Sequence, residues 1–243
     1  MPRLPIACAT ALLVVLTAAV TPARADLIVL QSSAPAIKAG QSLADGVGFE
    51  IPAGKSAVFV LPNGATRTVA GPFKGKAGDL TKGIAVDQEL LGAVKNYVET
   101  GGASTGRVGA TRSARAVPQV ASFAGWSVVP ISATGDYCID AGKRPELVRS
   151  YAGGELVLTI ANVRTAERGR VIFAAGARSA PWPAEVALTH GATYGIAAEG
   201  AVMRKLQLRL LKSVPSADET LRVLHGQRCL TQMRSWLAGL MRR

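Results

Sequence analysis

Residues 40–75, GQSLADGVGFEIPAGKSAVFVLPNGATRTVAGPFKG, decide the fold. Two apolar or alternating runs, Ser56–Leu61 and Ala65–Ala70, flank Pro62-Asn63-Gly64. Asn-Gly tolerates the positive φ angles of a tight reversal, so the stretch reads as a β-hairpin. Pro52-Ala53-Gly54 supplies an earlier turn and Gly71-Pro72 a break, which makes a small β-meander. None of these residues is chemically reactive, so the stretch reports architecture and not chemistry.

Toward the N-terminus, Leu27–Leu30 is a short apolar strand, and Gly40, Gly46 and Gly48 mark turns before Phe49–Ile51. Residues 1–25 read as a signal peptide. Arg3 gives a positive start, Ile6–Val20 is apolar or small throughout, and Ala23-Arg24-Ala25 has the small-x-small pattern of a cleavage site before Asp26. An uncleaved N-terminal anchor is the alternative, although the run is short for a membrane span. The expectation is an exported mature chain starting at Asp26, periplasmic or secreted.

The order Val29-Leu30, Gly40-Gln41-Ser42-Leu43, Ile51-Pro52-Ala53-Gly54-Lys55-Ser56-Ala57-Val58 and Leu61-Pro62-Asn63-Gly64 resembles the β-meander of FecR-like periplasmic domains. The resemblance covers residues 27–72. It implies short strands punctuated by turns, and a place in the bacterial envelope.

Beyond the meander, Asp87 is placed to cap a helix in which Leu90, Leu91, Val94, Tyr97 and Val98 share one face, with Gly101-Gly102 as its end. That face is expected to pack on the meander, a partner helix being the alternative. Residues 101–121 are rich in Gly, Ala, Ser and Thr, carry Arg107, Arg112 and Arg115, and read as a basic linker. Residues 26–100 and 122–243 are the two units on either side.

In the second unit, Trp126–Ile131, Leu156–Ala161, Arg170–Ala174, Glu185–Leu188 and Thr193–Ala198 are candidate strands. So is the alternation of Leu206, Leu208 and Leu210 with Lys205, Gln207 and Arg209. Five or six short strands at this spacing predict an antiparallel sandwich-like or barrel-like unit. Ser216–Glu219 has capping-box spacing before a C-terminal helix that carries Cys229, Leu230, Met233, Leu237 and Leu240 on one arc. Gly226 is placed to split that helix in two. The fold class expected is therefore mainly β with flanking helices.

Cys8 leaves with the signal, so Cys138 and Cys229 remain. An even count in an oxidising compartment predicts one disulfide, two separate buried thiols being the other reading. The expected bridge pins the last helix to the loop Gly135–Gly142.

Charge is unevenly divided. Residues 26–103 carry seven Lys/Arg and seven Asp/Glu, whereas residues 104–243 carry nineteen against nine, a net of +10. Such an asymmetry attracts anionic partners. Arg107, Arg112, Arg115, Lys143, Arg144, Arg204, Lys205 and Arg209 are the candidate contacts. For an exported chain the accessible partners are an envelope protein or an anionic glycan or lipid surface, and nucleic acid is not expected.

Catalytic signatures do not emerge. His190 and His225 lack metal-ligand spacing, and no His-Glu-x-x-His, Ser-x-x-Lys or phosphate loop occurs. Asp136 and Asp140 flank Cys138 beside Lys143 and Arg144, a poor composition for a metal site. No cofactor is expected. The sequence reads as an exported, non-catalytic binding or scaffold protein. The alternative is a secreted hydrolase-like enzyme whose carboxylates meet only in the fold.

Overall fold

A computed structural model describes residues 26–100, 123–199 and 201–242. The fold is mainly β with flanking helices, and its organising strand is β1 (Leu27–Ser32). Leu27 and Val29 enter one core while Ile28 and Leu30 enter another, so the unbroken apolar run LIVL is a strand buried on both faces.

A four-stranded sheet forms around it in the order β2-β1-β4-β5, with β2 at Ser42–Leu43, β4 at Ser56–Val60 and β5 at Thr66–Ala70. The β4–β5 hairpin is the one the sequence predicts. Of its two turn residues only Gly64 has a positive φ, at 80°. The Asn63 side chain instead accepts a hydrogen bond from the Ala65 N–H at 3.0 Å. β3 (Gly48–Ile51) and β6 (Phe73–Lys76) leave this sheet and pair with each other. The short α1 (Ala77–Thr81) follows directly. Phe49, Ile51, Phe59, Val69 and Leu80 fill the core between them.

The opposite face of the four-stranded sheet is covered by helices. In α2 (Gln88–Glu99) the Asp87 carboxylate caps the Leu90 N–H at 3.0 Å, and Leu90, Leu91, Val94, Tyr97 and Val98 point inward, as predicted. α3 (Thr220–Gly226) and α4 (Leu230–Met241) lie in the same layer. The break between them falls after Gly226, at Arg228 with φ 61°. The expected capping box is not formed. Glu219, not Ser216, occupies the N-cap, and the Ser216 hydroxyl donates to the Glu219 carboxylate at 3.1 Å.

The second unit holds a five-stranded sheet in the order β11-β10-β13-β14-β8 and a three-stranded sheet in the order β12-β9-β7. Their ranges are β7 Val128–Pro130, β8 Gly135–Asp140, β9 Glu146–Val148, β10 Leu156–Asn162, β11 Arg168–Phe173, β12 Ser179–Pro181, β13 Thr193–Ala198 and β14 Arg204–Leu211. Pairing is antiparallel except for β8 with β14 and β7 with β9, which run parallel.

Two local expectations change. Gly135–Gly142 is not simply a loop, because Gly135–Asp140 is a strand with Tyr137 and Ile139 in the core. Glu185–Leu188 is not a strand. It turns so that the Val186 carbonyl accepts the buried Trp182 Nε1–H at 3.0 Å, and an indole buried this deeply requires such a partner.

The layers stack on shared walls. Leu206 and Leu208 of β14 face the sandwich core, while Leu211 and Cys138 face the helical layer together with Ile28, Leu30 and Val60. One apolar cluster thus draws on both units. The Cys138–Cys229 disulfide crosses it with a Cα–Cα distance of 5.9 Å over a separation of 91 residues. Beside the bridge, the buried Gln232 accepts the Cys138 N–H at 2.6 Å and donates to the Cys138 carbonyl at 2.8 Å. It closes the outer edge of β8 as another strand would. No helix among the described residues is long and apolar enough to cross a membrane.

Candidate anion-binding face

Register places the candidate site on the outer face of the five-stranded sheet. Alternation sends Leu158, Ile160, Val171, Phe173, Ile196 and Leu206 inward, so the intervening residues face outward. On β11 these are Arg168, Arg170 and the exposed Ile172. Arg170 stands opposite Thr159 of β10, which stands opposite Ala197 of β13. The next row runs from Arg168 through Ala161 and Gly195 to Lys205 of β14.

Small side chains therefore form a floor between cations on β11 and cations on β14. Three inter-strand steps separate the two, about 14 Å. Over part of the floor Met203 lies against Gly195, where any Cβ would collide with its sulfur.

The electrostatics of this face are one-sided. Its carboxylates within the paired strands, Asp136 and Asp140, stand on β8, the strand farthest from β11. Asp136 is bound by Arg209 Nε at 2.7 Å. Arg168, Arg170 and Lys205 are exposed and form no salt bridge among the described residues. A cationic face of this kind, with a smooth centre, can hold an extended anion by charge-assisted hydrogen bonds along its rims.

The groups of shifted acidity lie elsewhere. Burial raises the Tyr97 phenol, against the lowering effect of Arg242 and Arg234, and burial alone raises Tyr137. The Ser216 hydroxyl lowers Asp218. Among the described residues no cluster of His, Cys, Asp and Glu could hold a metal ion.

The sequence-predicted contacts divide into groups. Lys205 and Arg209 share the outer face, Arg209 being tied to Asp136. Arg204 points to the other side of its strand and donates to the Ser132 carbonyl at 3.3 Å. Lys143 and Arg144 lie in the exposed turn after β8, beside the far end of β14. The length of β14 separates them from Arg204, about 23 Å. Arg107, Arg112 and Arg115 fall outside the described residues.

Sequence reasoning passed over Arg168 and Arg170. Their signal was the alternation Arg168-Gly169-Arg170-Val171-Ile172-Phe173, in which every second residue is buried. No family model, curated protein or solved structure matches the chain.

Proposed function

We propose that the protein is an exported, non-catalytic binding or scaffold protein of the bacterial envelope. On this reading it holds an anionic surface, that of a glycan, a lipid layer or an acidic protein, on the outer face of its five-stranded sheet. The observation that carries the reading is the pair of rims, Arg168 and Arg170 on one side and Lys205 on the other, without carboxylates between them. A buried disulfide is compatible with folding outside the cytoplasm. The signal-like residues 1–25 and the FecR-like order of residues 27–72 support the same compartment.

The test uses the whole exported chain. Its N-terminus should be Asp26 by mass spectrometry. A triple variant, Arg168→Glu, Arg170→Glu and Lys205→Glu, should elute from dextran sulfate at clearly lower salt than wild type. A control with equal charge change, Lys38→Glu, Lys55→Glu and Lys82→Glu, should elute much closer to wild type. Equal losses in the two variants would show that net charge alone is at work and would remove the face from the proposal.

A further inference from the structure

At one end of the sandwich the two sheets part, leaving an open cleft of about 310 Å³. It lies on the opposite side of the five-stranded sheet from the basic face. Its walls are Ile131, Leu156, Leu158, Ile196 and Ala198, and Val202 stands on its lip. Leu158 and Ile196 also belong to the sandwich core, so the cleft is that core left unsealed. The lip is apolar and exposed, Val202 at 91% and Tyr151 at 69%.

The polar part of the lining is cationic. Arg149 and Arg204 both line the cleft, and among the described residues no Asp or Glu does. Arg149 is only 7% exposed. Its Nε donates to the Ala177 carbonyl at 2.7 Å, Nη1 to Gly154 at 2.8 Å, and Nη2 to Gly153 at 3.2 Å and Ala174 at 3.1 Å. All four acceptors are neutral, and neither arginine has a salt bridge among the described residues. One Nη1 N–H of Arg149 is left over. Arg204 spends one N–H on Ser132 and keeps the rest at the mouth. The Arg149 guanidinium also sits over the Phe173 ring, 5.4 Å from its centroid; with carbonyls and one ring face around it and no carboxylate, it leaves a positive field that an anion would complement.

We propose that this cleft binds an amphiphile with one alkyl chain and an anionic head, a carboxylate or a phosphate. The chain extends the sandwich core between Leu158 and Ile196, and the head meets Arg204 at the mouth within the field of Arg149. At about 30 Å³ per water-sized group, the space takes roughly ten of them, a chain of about eight to twelve carbons with its end outside. A peptide fits less well. The backbone of Leu156–Leu158 is already paired on the β11 side throughout and at Leu158 on both sides, so the amides of an inserted peptide would lack partners.

The experiment titrates the whole protein with dodecanoate and dodecyl phosphate below their micelle-forming concentrations, with dodecyltrimethylammonium as the cationic control. Variants are Arg204→Glu, at an exposed position, and Ala198→Trp, which fills the cleft, each checked for an unchanged melting profile. Saturable one-to-one binding of the anions is expected, at least tenfold weaker in Arg204→Glu and absent in Ala198→Trp.

A second arm uses vesicles of phosphatidylglycerol in phosphatidylcholine. Vesicle binding that Ala198→Trp abolishes identifies a bilayer lipid as the source of the chain. Dodecanoate binding without vesicle binding identifies a free amphiphile. Failure of wild type to bind either anion overturns the proposal, as does equal affinity for the cationic control or full binding by Ala198→Trp. Vesicle association that persists in Ala198→Trp while dodecanoate does not bind overturns the cleft and leaves the basic face standing.

Discussion

Replacing Gln232 with leucine isolates the contribution of one side chain to the junction between the units. Gln232 is 2% exposed, and its amide satisfies both the N–H and the C=O of Cys138. Leucine has similar bulk and no polar atom, so Gln232→Leu strands two backbone groups in an apolar layer. Each orphaned group costs about 1–3 kcal/mol. Burying the apolar side chain recovers about 1–2 kcal/mol. Central values give a net loss of about 2.5 kcal/mol, a fall in Tm of roughly 5–10 °C for a chain of this size.

Gln232→Glu adds a sign. One carboxylate oxygen can accept the Cys138 N–H, but the other must face the Cys138 carbonyl, which also accepts. Protonation restores the missing donor, so the folded state raises the pKa of this carboxyl above its unfolded value of about 4.3. Stability is then fully present below that value and is lost as pH rises through the folded pKa. Urea unfolding at pH 5 and pH 8, with the disulfide oxidised, measures both effects. A Gln232→Leu protein within 0.5 kcal/mol of wild type, against the ~2.5 kcal/mol expected, would refute the edge-closing role. So would a Gln232→Glu protein equally stable at both pH values.

Two more outcomes are expected. Cys229→Ser removes a cross-link spanning 91 residues, which chain-entropy arithmetic puts at about 4.6 kcal/mol; α4 should become protease-sensitive, and retention of the wild-type Tm would contradict this. Gly64→Ala forces a Cβ into Leu90 at a φ of 80° and should cost about 1–3 kcal/mol in chemical denaturation, part of which Leu90→Val should return.

The elements legible in the sequence are those whose pattern is complete within one segment. α2 has its cap, its apolar face and its polar back within Asp87–Glu99, and the β4–β5 hairpin carries its own turn. β8 fails that condition. GDYCID looks like an acidic loop because the reasons for its residues lie far along the chain. Asp136 is matched by Arg209, 73 positions away, and Cys138 by Cys229 and Gln232. The same distance hides the basic face, since Arg168 and Lys205 become neighbours across Ala161 and Gly195 only once the strands are in register. Arg149 reads in sequence as one more surface cation, and only the carbonyls and the Phe173 ring gathered around it show otherwise.

The helical layer also bears on the order in which the chain can finish folding. Ile28, Leu30 and Val60 face a cluster completed by Leu221, Leu224, Met233 and Leu237. A chain emerging N-terminus first has its first sheet long before it has that cover. Until then only α2 covers that face of the early sheet, and the part left open puts the interval before closure at risk of aggregation. Closure through contacts of such long sequence separation is slow by nature. Stop codons or proteolytic cuts that remove only the last two dozen residues should therefore damage the first sheet, at the opposite end of the sequence, as much as the last.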